Sequence, residues 1–180
     1  MTDLKGKPTL SVSGAQNYRP SRRIHCTEDA RLIARRRVPR MMFDFVEGAA
    51  GNELGTQRNS HAIKQTLLQP RVLVKVDNRT IHKELLGQTM GLPFGIAPMG
   101  MCNLTWPGAD TMLAAQAVRC NIPLCLSSAA STTLEDMHAI TAGRAWFQLY
   151  VGQSREAAME LVDRAEAAGY EHLILTVDVP

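Results

Sequence analysis

Trp146-Phe147-Gln148-Leu149-Tyr150-Val151 and, one helix later, Leu175-Thr176-Val177-Asp178-Val179-Pro180 place polar side chains at the C-terminal ends of two apolar runs. That is where a β/α barrel builds its active site. Two similar runs precede them, Phe94–Ala97 and Pro123–Ser127, and each of the first three runs is followed by a segment of helical character. Strand, helix and strand repeated in this way predict a parallel sheet, and the near-continuous hydrophobicity of the strands predicts burial on both faces.

The intervening segments carry helix signals. Gly108 to Arg119 is alanine-rich; Thr132 or Thr133 can cap a helix running to Ala142 before Gly143; Ser154 can cap one running to Ala168 before Gly169. Hydroxyls at the front and glycine at the back suit helix ends. A β/α barrel or a doubly wound sheet would both satisfy this pattern, but no GxGxxG or Walker-type loop follows the first strand, which favours the barrel. The expected fold class is α/β, the N-terminal half of a TIM-type barrel preceded by a helical segment.

That helical preface is expected over residues 27–70, after a loose tail at 1–26. Thr27 with Glu28 and Asp29 predicts a helix start, a second helix runs from Pro39 to about Val46, and a third from about Glu53 to Leu68 ends at Pro70. Arg71 to Val76 alternates as a half-buried strand would, and Gly87 marks a turn. Barrel strands begin at about residue 93, and 27–180 is expected to form the N-terminal part of one β/α barrel domain.

The 180 residues are 45% hydrophobic and 21% charged, an ordinary globular balance. The net charge of +3 comes largely from Arg31, Arg35, Arg36, Arg37 and Arg40. Without interleaved aromatics this reads as a solvated helix face rather than a nucleic-acid surface. Cys26, Cys102, Cys120 and Cys125 show no CxxC pair or metal-ligand spacing and read as reduced, buried thiols. No apolar run is long enough for a membrane span, so the default compartment is the cytoplasm.

The strand ends contribute Ala97-Pro98-Met99-Gly100, Ser127-Ser128, Gln148 with Tyr150, and Thr176 with Asp178. Backbone groups, hydroxyls, an amide, a phenol and a carboxylate suit a planar heteroaromatic ring better than a metal. Their order and spacing, with Pro39-Arg40-Met41-Met42-Phe43-Asp44-Phe45 and Gln69-Pro70-Arg71, resemble the FMN-dependent α-hydroxy-acid dehydrogenase and oxidase family from about Val38 to Pro180. The resemblance implies FMN as cofactor and oxidation of a 2-hydroxy acid to the keto acid. It implies that Pro98, Met99 and Gly100 line the flavin through their backbones and that Ser127, Gln148 and Thr176 bond its ring. It further implies that Tyr150 meets the substrate's α-oxygen and that Asp178 orients a catalytic histidine.

Two residues depart from the family pattern: Phe45 stands where many members carry a tyrosine that binds the substrate carboxylate, and Ala129 where some carry a large aromatic. Both read as pocket walls, and the pocket is expected to be altered in shape. His25, His61, His82, His138 and His172 all read as surface or structural residues, so the catalytic histidine is expected from a companion chain or segment that completes the barrel. An unpaired last strand and open apolar face would otherwise stand in water. A homo-oligomer of the completed unit is expected, since tetramers are common in that family. The alternatives are a flavin barrel with another substrate and a catalytically silent half barrel serving as an interaction module.

Overall fold

Asp29 opens the first helix from inside it: one carboxylate oxygen accepts from the backbone N–H of His25 at 2.8 Å and of Cys26 at 3.3 Å. Cys26, rather than Thr27, is therefore the capping position of α1 (Thr27–Arg37). The computed structural model describes residues 24–152 and 154–177, and the chain divides into two compact units, Arg22–Thr80 and the part from Ile81 onward. The expected tail at 1–26 falls almost wholly outside the described residues.

The first unit holds α1, α2 (Arg40–Glu47) and α3 (Leu54–Gln65). Arg31 ties the first two together, reaching Glu28 on its own helix at 2.9 Å and Glu47 on α2 at 2.7 Å. The hydrogen bond from Arg31 holds the Glu28 carboxyl below the usual carboxylate range. Arg35, Arg36 and Arg37 occupy the last turn of α1, where cations suit the negative helix end. The strand expected over 71–76 does not form. Residues 71–80 carry no regular structure and are exposed, and alternation alone cannot make a strand where no partner supplies hydrogen bonds.

In the second unit, β1 (Lys83–Leu85) and β2 (Gln88–Met90) form an antiparallel hairpin. Its two-residue turn, Leu86-Gly87, has φ of 48° and 76°, the left-handed pair that a tight hairpin demands. The expected strand at 94–97 is reduced to one parallel bridge, Ile96 to Leu124. Pro123 has no N–H to continue the ladder, and a Cβ on Gly95 would lie 2.8 Å from the Pro123 ring, so only glycine permits this approach.

A short α4 (Cys102–Thr105) and α5 (Ala109–Cys120) lead to β3 (Leu124–Ser127), followed by α6 (Leu134–Ile140), β4 (Ala145–Tyr150), α7 (Arg155–Ala168) and β5 (Leu173–Thr176). Thr133 caps α6 by accepting from Asp136 N–H at 3.1 Å, and Ser154 caps α7 by accepting from Ala157 N–H at 3.3 Å. The three strands are parallel in the order β3-β4-β5. Leu124, Leu126, Ala145, Phe147 and Leu149 form one core with Ala114 and Ala117 of α5, Leu134 and Met137 of α6, and Ala158 and Ala165 of α7. Helices on one face of an unreversed sheet make a barrel wall; a doubly wound sheet would cover both faces.

The N-terminal ends of the strands rest on the hairpin. Asn121 and Arg144 donate to the Thr89 carbonyl at 3.2 and 3.1 Å, Trp146 donates to Gln88 Oε1 at 3.3 Å, and His172 Nε2 donates to the Leu86 carbonyl at 3.1 Å. The carbonyl fixes the proton of His172 on Nε2, and its ring stacks on Trp146 with centroids 5.0 Å apart. His138 packs against Tyr170 with centroids 5.0 Å apart, in the space that Gly169 leaves open.

Of the four cysteines, Cys125 is buried, Cys102 and Cys120 are half-buried and Cys26 is exposed, against the expectation of four buried thiols. Among the described residues no helix is long and apolar enough to cross a membrane.

Two outcomes follow from this packing. Burial pushes the Cys125 thiol up to about 12, and only thiolate reacts, so at neutral pH an alkylating reagent labels Cys26 first and Cys125 only on unfolding, as peptide mass spectrometry would read. Gly169 has φ +95° and its added Cβ would meet His138 Nε2 at 3.1 Å; Gly169→Ala therefore lowers stability by about 1–2 kcal/mol in urea unfolding.

Candidate functional site

On the sheet face opposite the helices, pairing register brings Ser127 beside Gln148 and sets Tyr150 beside Thr176. This is the face a barrel turns inward, and these residues stand at its C-terminal edge. Gln148 is only 1% exposed and Ser127 5%, so their polar atoms must be paired within the protein.

They are. Gln148 Oε1 accepts from Ser127 Oγ at 3.0 Å and from the Ser128 backbone N–H at 3.3 Å, while Gln148 Nε2 donates to Thr176 Oγ1 at 2.8 Å. Ser127 Oγ accepts from the Ala129 N–H at 3.1 Å. Backbone N–H groups can only donate, and that settles the amide's orientation. With Ala129 and Ser128 donating at one end, Ser127 must donate to Oε1, Nε2 must face Thr176, and Thr176 is left with its own hydroxyl hydrogen to give. The row therefore has a direction, from β3 to β5, and ends in a donor.

A second wall comes from the loop after Ile96. Met101 N–H donates to the Ala129 carbonyl at 3.1 Å, and a Cβ on Gly100 would sit 3.1 Å from the Ala129 Cβ, so the Pro98–Gly100 backbone packs directly on the loop after β3. Tyr150 is 43% exposed, and its backbone N–H donates to Ser128 Oγ at 3.4 Å. Ser127, Gln148, Thr176, Tyr150, Pro98, Met99, Gly100 and Ala129 thus all lie in the second unit, at one end of one sheet. Phe45 lies on α2 in the first unit, 65% exposed, and Asp178 lies outside the described residues.

The donor set is neutral: hydroxyls, an amide, a phenol and backbone. Among the described residues no group of His, Cys, Asp and Glu could hold a metal ion. A ring edge rich in carbonyl and imine acceptors fits such a set, and FMN presents one; Met99 and Gly100 are exposed beside it. Neither His138 nor His172 stands at this edge. His172 precedes β5 at the opposite end, and His138 lies within α6.

The backbone donors of Ser128 and Ala129 were not legible as site features, because main-chain groups leave no mark in a sequence. Asp110 was equally unmarked, although it is 5% exposed and accepts from Thr132 Oγ1 at 3.0 Å.

Comparison with known proteins supports the same architecture. The family model for FMN-dependent dehydrogenase matches residues 34–180. The (S)-mandelate dehydrogenase of Pseudomonas putida is 37% identical over 159 residues, covering 88% of this chain and 40% of the relative. The putative L-lactate dehydrogenase of Mycobacterium tuberculosis is 39% identical over 154 residues, covering 85% and 37%. Among solved structures, mandelate oxidase superposes with a TM-score of 0.80 at 33% identity, covering 85% of this chain and 44% of that one. A soluble mutant of the membrane-associated (S)-mandelate dehydrogenase from Pseudomonas putida gives 0.79 at 39% identity, covering 84% and 43%. The chain thus spans about two fifths of the length of the curated relatives it matches, and its sheet is part of a TIM-type barrel. By family match, by relatives and by structure, it belongs to the FMN-dependent dehydrogenases.

Proposed function

We propose that this chain supplies the FMN-binding wall of an enzyme that oxidises a 2-hydroxy acid to the keto acid, working with a further segment that continues the barrel. The observation that carries the reading is the buried, directed row Ser127–Gln148–Thr176 at the C-terminal edge of a parallel sheet, in a chain of the FMN-dependent family.

FMN, when bound, supplies the acceptor for the two electrons that leave the hydroxy acid. The chain's own residues do the rest of what falls to this wall. Gln148 and Thr176 hold the ring's polar edge through donors already oriented before binding, which lowers the cost of ordering. Ser127 fixes Gln148 from behind. Pro98, Met99 and Gly100 offer the ring their backbone. Tyr150 presents its hydroxyl toward the substrate's α-oxygen, and Asp178, by family resemblance, orients the histidine that takes the hydroxyl proton. We assign that histidine to the continuing segment; in the second unit His172 is engaged in the floor and His138 in helix packing.

Ala129 is exposed beside Gly100, and a methyl there leaves room for a bulky substrate. An aryl hydroxy acid of the mandelate type is accordingly the preferred substrate over lactate. In the complete enzyme, turnover with (S)-mandelate exceeds that with lactate in kcat/KM, and Ala129→Trp reverses the order; turnover of neither acid would refute the reading.

Gln148→Leu strands the Ser127 hydroxyl, the Ser128 N–H and the Thr176 hydroxyl together. Losing partners for buried polar groups costs about 1–3 kcal/mol each, so urea unfolding shifts clearly and FMN affinity, followed by quenching of flavin fluorescence, falls at least roughly tenfold. Flavin binding that is indifferent to this change would remove the row from the site.

A further inference from the structure

Asp110 stands in the first turn of α5, 5% exposed, outside every role assigned above. A buried carboxylate is expensive unless it is paired and bonded. Among the described residues Asp110 has no cationic partner. Its Oδ2 accepts from Thr132 Oγ1 at 3.0 Å, and its backbone N–H donates to Asn103 Oδ1 at 3.1 Å. The first turn of α5 offers a favourable field for the charge, yet a threonine or asparagine would bridge the same neighbours with less desolvation.

The neighbours explain the position. Asn103 and Cys102 belong to α4, which follows the Pro98–Gly100 loop, and Cys102 Sγ donates to the Met99 carbonyl at 3.7 Å. Thr132 belongs to the loop that follows Ser127 and Ala129. Asp110 is thus the joint between two loops whose other connections are the Met101–Ala129 hydrogen bond and the Gly100–Ala129 contact. Both loops run along the same edge as the Gln148 row.

We propose that Asp110 is a positioning residue: through its carboxylate to Thr132 on one side and its backbone N–H to Asn103 on the other, it sets the spacing between the Pro98–Gly100 wall and the Ser127–Ala129 loop. The inference rests on the reading of those two walls as FMN-facing. Asp110 itself does not touch the cofactor. The two bonds together hold the gap at one width, so the ring meets the backbone of Gly100 and the Gln148–Thr176 row at once.

The test compares Asp110→Ala, Asp110→Asn, Thr132→Val and Thr132→Ser with the unaltered protein, by amide hydrogen exchange and by FMN titration. In Asp110→Ala and Thr132→Val, which cut the Thr132 arm and leave the backbone bond to Asn103, exchange quickens in peptides covering 127–133 while β4 keeps its protection. FMN affinity falls roughly tenfold or more, as for other residues that support a site from behind, and the shape of the bound flavin's visible band changes, which loss of global stability alone does not cause. Asp110→Asn and Thr132→Ser retain the bridge and stay within about threefold in affinity. Should Asp110→Ala fail to fold, Thr132→Val carries the same test. Unchanged exchange over 127–133 overturns the proposal, and so does quickened exchange with unaltered FMN affinity and band shape. If that loop loosens but the unaltered protein takes up no FMN, the joint stands and the flavin reading falls.

Discussion

The orientation of one buried amide governs the site. Gln148 joins three strands through its side chain, and two backbone N–H groups of the loop after β3 dictate which way that side chain points. Because main-chain donors cannot reverse, the polarity is fixed by the fold itself rather than by a ligand. What β5 presents at the rim is consequently a donor whose direction was set two strands away. A threonine read alone is an ordinary strand-end hydroxyl; at the end of this row it is a committed one.

Around that row the unit is built in layers. The helix-facing residues of β3 and β4 form an apolar core with α5, α6 and α7, and the inward residues change from Trp146 and His172 at the floor to Ser127, Gln148 and Thr176 at the rim. The hairpin accepts four side-chain hydrogen bonds from the residues that lead into or begin the strands. Closing one end of the sheet with specific polar contacts leaves the other end free to vary, the division of labour that lets barrels carry many chemistries.

Much of this was legible in the sequence. The three parallel strands, the hydroxyl caps at Thr133 and Ser154 and the glycine end of α7 follow from apolar runs and terminal signals that local physics enforces. The rim residues Ser127, Gln148 and Thr176 could be named because strand ends are countable. The failures were non-local. Arg71 to Val76 alternates like a strand but has no partner, and Phe94–Ala97 is cut to a single bridge by the missing N–H of Pro123. Cys26 took the cap expected of Thr27 because Asp29 reaches back to it. Asp110 and the Ser128 and Ala129 amides escaped notice since their importance arises only when the two loops meet.

The account turns on whether Gln148 holds FMN through an amide already aimed at it. Side-chain amide NMR signals of Gln148, assigned by their disappearance in Gln148→Leu, report this most directly when FMN is added. The account predicts that both Nε2 protons are slow to exchange before addition and shift on binding, together with the Thr176 hydroxyl. Binding of FMN that leaves those signals unmoved would place the flavin elsewhere and contradict it.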